Sequence, residues 1–408
     1  MGSNPDESGA HMTRLTRRQW LKGMAGVAGA AAATRLGLTP GTAWAQEVPR
    51  KAAVLVVWLN GGYNALFGSA DSFAGAGTFG VAGGNMRDLG NGLIVDRPTL
   101  GSLPEFALTH MATVGVRHGI TAHEPAQDHC FTAGGGNAAI RLAAEMGGEG
   151  AIKCVQLGGG GVPGGREMVS GVSLQPITDL RSTLAALGGI TDPTTPDRQV
   201  AEKAMAASRF MSTRTMVTSP AQTKTLGEGY AAAIDSLQRP VKTYDYVGLA
   251  SAYGFASTNT AVNNFTMQIA AAEVMFEAGA NVAVAVNGGW DTHGDRDGGA
   301  VRGMMNSRIL PPLRTFISRM VADPTKNVNV VIMGDFARSL PGSDHAAAMA
   351  ATVIGRNVRV GTTGKMDANV RLPAGTPQAT GLWAYLARLV GLPTQPFGIN
   401  PHTGLVLT

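Results

Sequence analysis

The chain has 408 residues, of which 44% are hydrophobic, 15% charged and 6% aromatic, with 56 glycines and a formal net charge of +5. The many glycines and few aromatics favour numerous tight loops over long regular elements. The net charge falls to +2 once the five basic and two acidic residues before Gln46 are set aside, so the high isoelectric point is no argument for a nucleic acid or acidic lipid partner.

Residues 1–12 read as an expression scar and carry no fold information. Residues 13–45 read as a twin-arginine export signal. Arg17-Arg18 is followed by Trp20 and Lys22, then by a small-residue apolar stretch to Leu38 and an Ala43-Trp44-Ala45 cleavage site. A membrane anchor is the competing reading, but the apolar stretch is short and rich in Gly and Ala for a span. The expectation is a cleaved leader, export in folded form, and a periplasmic or secreted product without a stable membrane span. Residues 46–408 show no linker run, repeat or charge block, and are expected to form a single domain.

From there the chain alternates strand and helix signals. Residues 52–59 form a continuous apolar run ending in Asn60-Gly61-Gly62, which predicts a buried parallel strand and a tight loop. Shorter strands are expected over 113–117 and 152–157. Between them, His118, His123 and His129 fall within a dozen residues, with Asp128 and Thr132 beside them. Cys130 and Cys154 could pair in an oxidising compartment or stay as two buried thiols. The glycine run 159–164 matches a dinucleotide fingerprint in form only. Pro163 stands where the helix would begin, so a loop is expected. Residues 198–237 read as helix with an interruption near Ser219-Pro220.

Helical periodicity runs from Phe265 to Phe276 and stops at Gly279. The Val-rich run 281–286 then leads into Asn287-Gly288-Gly289-Trp290 and on to Asp291-Thr292-His293. A helix over 301–320 precedes a second Val-rich run, 327–333, which leads into Asp335-Phe336-Ala337-Arg338 and Asp344-His345. Residues 346–351 look helical, and a last helical face comes from Leu382, Trp383, Leu386, Leu389 and Val390. This order predicts a layered α/β fold with a central, mostly parallel sheet flanked by helices on both faces. Ligands of such sheets bind beyond the carboxyl ends of the strands, where both acid-plus-histidine boxes fall. Asp and His delivered there suit metal-assisted chemistry. Asp291 and His293, two apart, share a side if the segment is extended. Asp335 could be a ligand or base, and Arg338 suits an oxyanion or a local ion pair with Asp335.

Asn60-Gly61-Gly62, the GGWDTH box at 288–293, Asp335-Phe336-Ala337-Arg338-Ser339 and Asp344-His345 together resemble the family called domain of unknown function 1501. That family is similar in fold to the alkaline phosphatase and sulfatase superfamily. The resemblance covers nearly all of 46–408 and implies an exported, metal-dependent hydrolase acting on a small-molecule or polymeric phosphate or sulfate ester. It implies one or two divalent ions, with Zn or Mn preferred for mixed nitrogen and oxygen donors. The ligands would come from Asp291, His293, Asp344, His345 and His129; the catalytic candidates are Asp335, Arg338, His123 and Thr132. The twin-arginine translocase is the implied export partner. The chain departs from the family at Asn64, where an acid is common, and at Asp335, where the box commonly has Glu. The alternative is a non-catalytic cell-envelope binding protein that keeps the hydrolase fold.

Overall fold

Strand β1 (Lys51–Leu59) is apolar along nearly its whole length because both of its faces are covered. Leu55, Val57 and Leu59 join one core, while Val54, Val56 and Trp58 join another, as the two-residue period of a strand requires. A computed structural model describes residues 51–74, 81, 83–148, 150, 152–187, 244–338 and 345–407. The scar, the leader and the helix expected over 198–237 lie outside the described residues.

After β1 come a hairpin of β2 (Met86–Gly90) and β3 (Leu93–Asp96), then β4 (Met111–Arg117), β5 (Cys154–Leu157) and β6 (Leu174–Ile177). The later strands are β7 (Val282–Asn287), β8 (Lys326–Gly334), β9 (Ala348–Gly355) and β10 (Gly361–Thr362). Eight strands make one sheet in the order β10-β4-β9-β8-β1-β7-β5-β6. All its pairings are parallel except those of β9, which runs against both β4 and β8. One face is covered by the helix Phe265–Glu277 and by the helical run from Gly299 to Val321. The other face carries helices His123–Phe131, Ala138–Met146 and Ala379–Leu389. The α/β fold with a mostly parallel sheet between two helical layers is therefore as expected.

The expected strands at 52–59, 113–117, 281–286 and 327–333 all form, and 152–157 shortens to Cys154–Leu157. The helix expected over 301–320 contains two π-helical turns, Met305–Ile309 and Ile317–Val321. Pro311 and Pro312 follow the first of these turns; they lack backbone N–H groups, so regular bonding to the preceding turn is lost there. The helix expected over 346–351 is a correction: Ala348–Gly355 is a fully buried strand. Its alanines favour a helix locally, but hydrogen bonding to β4 on one side and β8 on the other overrides that preference. Cys130 and Cys154 are both free and buried, the second of the two open alternatives. Burial pushes both thiols well above their ordinary value. Among the described residues no helix is long and apolar enough to cross a membrane.

Register decides where the functional loops emerge. Leu59 pairs with Asn287 of β7 and with Gly334 of β8, so these three strands end side by side. Because β9 is antiparallel, it begins at that same edge, with Ala348 opposite Arg117 at the end of β4. Five chain segments are thus delivered to one sheet edge.

Candidate metal centre

The loop after β1 must pass against the other two. Gly61 (φ +114°) and Gly62 (φ +137°) have backbone angles that side chains disfavour. A Cβ on Gly61 would lie 2.3 Å from the Asp291 amide nitrogen, and one on Gly62 would lie 2.7 Å from Arg338 Nε. Glycine is therefore required for the three loops to close on one another. Trp290 fixes the second loop. Its backbone N–H donates to the Asn60 carbonyl at 3.2 Å, and its indole Nε1–H donates to Asn287 Oδ1 at 2.9 Å. The buried ring meets Phe67 edge-on, which leaves the next residue, Asp291, at the site.

Asp335 follows β8 and is fully buried. Its Oδ1 accepts the Gly61 N–H at 2.9 Å. Its Oδ2 accepts from His123 Nδ1 at 2.5 Å and from Gln127 Nε2 at 3.3 Å. Gln127 lies one turn beyond His123 on the helix His123–Phe131 and also donates to Asn60 Oδ1 at 2.9 Å. His345, just before β9, places Nδ1 at 2.7 Å from the Thr121 carbonyl. A carbonyl only accepts, so the proton of the neutral ring is on Nδ1 and Nε2 keeps its lone pair. The same reasoning applies to His123 against the Asp335 carboxylate. Histidines that bind metals usually donate their other ring N–H to such a partner.

The free ring nitrogens converge on Asp291. His123 Nε2 is 3.6 Å from Asp291 Oδ2, and His345 Nε2 is 3.6 Å from Oδ1. His293 Nε2 is 3.0 Å from Oδ1 and 3.1 Å from His345 Nε2. Tetrahedral zinc with bonds of about 2.0–2.1 Å spaces its ligand atoms roughly 3.3 Å apart. One donor atom each from His123, Asp291 and His345 falls within 4.8 Å of the others. The donors and their spacing fit a divalent ion. Phe336 packs against both rings, stacked on His345 at 4.0 Å and tilted against His123 at 4.8 Å between centroids.

Arg338 is buried and donates to the Gly61 carbonyl and to Asp291 Oδ1. Partial burial raises the Asp291 carboxyl. The hydrogen bond and charge of Arg338 outweigh this, helped by His293 and His123, and hold it below the ordinary carboxylate range.

The structure thus brings together His123, Asp291, His293, Asp335, Arg338 and His345. Asp344 lies outside the described residues. His129 does not join the group; its ring packs 6.1 Å from that of His118. Burial, with the neighbouring His129, lowers His118 to about 4 despite the opposing pull of Asp335. Thr132 is an exposed helix cap bridged to Asn137. Asn64 is buried and uses its side-chain oxygen to cap the turn at Leu66. Arg338 packs against Asp291 rather than Asp335, which the local ion-pair reading had favoured. Gln127 and Phe336 had not been singled out; for Gln127 the available signal was its helical spacing of four from His123.

No family model and no curated protein matches the chain. Among solved structures, it is similar to an alkaline phosphatase from the Antarctic bacterium TAB5. The identity is 9% and the TM-score 0.31, with 85% of this chain and 100% of the other covered.

Proposed function

We propose that this chain is a metal-dependent hydrolase of phosphate or sulfate esters, exported in folded form through the twin-arginine pathway. The observation that carries the metal-dependent part is the convergence of His123 Nε2, His345 Nε2 and the Asp291 carboxylate, with both histidines anchored through Nδ1. Three protein ligands with room for another group are characteristic of catalytic rather than structural metal sites. A divalent ion there, Zn or Mn by its donors, supplies polarisation of the ester oxygen and stabilises charge on the transferring group.

The chain's own residues do the holding and orienting. Asp335 and the Thr121 carbonyl keep the Nδ1 protons in place, so both Nε2 atoms face the site. Asp291, held acidic by Arg338, stays ionised at neutral pH. The side chains of Asp291 and His293 are 47% and 53% exposed, which leaves an approach for a small molecule or a polymer end. The ester class and the export route rest on the resemblance carried by the GGWDTH box and on the leader at 13–45.

One observation favours the second reading, a cell-envelope binding protein that keeps the fold without the chemistry. Asn64, where the family resemblance calls for an acid, is spent on a local cap. Metal analysis by plasma mass spectrometry, followed by a panel of phosphate and sulfate esters, separates the two. Bound divalent metal and ester turnover, both lost in a folded Asp291→Ala variant, are expected. Turnover unchanged in that variant would overturn the hydrolase assignment, and metal binding with no turnover on any ester would favour the binding protein.

A further inference from the structure

Arg338 lies inside the candidate centre and limits what the centre can take. Its side chain is 1% exposed. The guanidinium donates to the Gly61 carbonyl and to Asp291 Oδ1, packs over the Phe336 ring at 5.2 Å, and has Nη1 at 3.5 Å from His293 Nε2. Arginine does not lose its proton in proteins, so this is a fixed positive charge.

Hydrolases with two ions place them about 3.5–4 Å apart, and among the described residues the carboxylates at this centre are those of Asp291 and Asp335. Asp291 has one oxygen bonded to Arg338 and the other facing His123. Asp335 has both oxygens engaged, by Gly61, His123 and Gln127. A second divalent ion beside Asp291 Oδ1 would meet the guanidinium at contact distance, in a setting where its charge is poorly screened.

We propose that the centre takes a single divalent ion, and that Arg338 is the permanent cation standing where a second ion would sit. This rests on the metal-binding reading above. It makes Arg338 a positioning residue, which fixes Asp291 and sets the stoichiometry without touching substrate.

The test is a metal titration of the chelator-stripped protein with Zn and, separately, Mn. Stoichiometry is read by plasma mass spectrometry after gel filtration, and the Mn form by electron paramagnetic resonance. One equivalent and an isolated-ion Mn spectrum are expected. Arg338→Met removes the charge and frees Asp291 Oδ1, so a second, weaker equivalent is expected; Arg338→Lys keeps the charge and should hold one. Two equivalents with an exchange-coupled spectrum in the unaltered protein would overturn this inference and leave the hydrolase reading standing. No metal uptake at all overturns both. Arg338→Met with one equivalent at unchanged affinity removes the role given to Arg338. Should neither variant fold, the stoichiometry of the unaltered protein decides.

Discussion

His123 Nδ1 and Asp335 Oδ2 meet at 2.5 Å although the two residues are 212 apart in sequence. The same carboxylate reaches Gly61 through its other oxygen, so Asp335 ties the loops after β1 and β8 to the helix that carries His123. Its burial makes those bonds hard to replace with water.

Replacing this partner should therefore weaken metal binding without touching a ligand. In Asp335→Asn the amide can present its NH2 to His123, which favours the ring tautomer with the proton on Nε2. Loss of such an outer partner costs about 10–100-fold in metal affinity. Competition against a chromophoric chelator measures it, and an unchanged affinity would remove Asp335 from the centre.

Gly61→Ala should be far more damaging than its size suggests. The added Cβ would lie 2.3 Å from the Asp291 backbone nitrogen, at a φ of +114°. Backbone strain alone costs about 1–3 kcal/mol, and relief of the clash must move Asp291. Gly159→Ala is the control, since nothing lies within 4 Å of its added carbon and its φ is not positive. Thermal unfolding together with metal affinity should separate them; equal behaviour would contradict the close approach of the loops.

Arg302 donates to the fully buried Asp96 from Nε, at 3.1 Å to Oδ1 and 3.3 Å to Oδ2, and from Nη2 at 2.8 Å to Oδ1. Thr99 Oγ1 also donates to Asp96, at 2.8 Å. Arg302→Met leaves that carboxylate buried with its main cation gone, which costs about 3–5 kcal/mol. Urea unfolding at neutral pH measures the loss. A double variant, Arg302→Met with Asp96→Leu, should recover much of it.

Acid should destabilise the fold through two histidines held neutral. Burial lowers His402 to about 4, and burial together with His129 lowers His118 to about 4. Between about pH 4 and the ordinary value near 6.5, the unfolded chain binds protons that the folded chain does not. Stability from these groups is then complete above about pH 6.5 and is lost as the pH falls towards 4. For the nearly inaccessible His402 the full loss is about 3 kcal/mol. His402→Gln, which removes the titration, should lose less stability than the unaltered protein between pH 7 and pH 4.5 in urea unfolding. An equal loss in both would show that His402 does not carry this pH dependence.

Much of the sheet was legible because buried parallel strands need apolar side chains on both faces. The runs at 52–59, 281–286 and 327–333 became β1, β7 and β8 for that reason. The loops after β7 and β8 could be read as candidate sites because each combines glycine with Asp, His or Arg at a strand end. β9 was read as helix because alanine-rich segments suit either element and neighbouring strands decide between them.

By itself, the sequence determined which residue types stand at the carboxyl ends of the central strands, since periodicity and loop chemistry are local properties. Only the tertiary structure decided which of them meet. Register and the single antiparallel strand brought His345 and His123 to Asp291 while directing His129 towards His118. Burial turned Arg338 inward onto Asp291, and Asp335 onto His123. Those assignments depend on distances between side chains carried by different loops and helices, which no local pattern encodes.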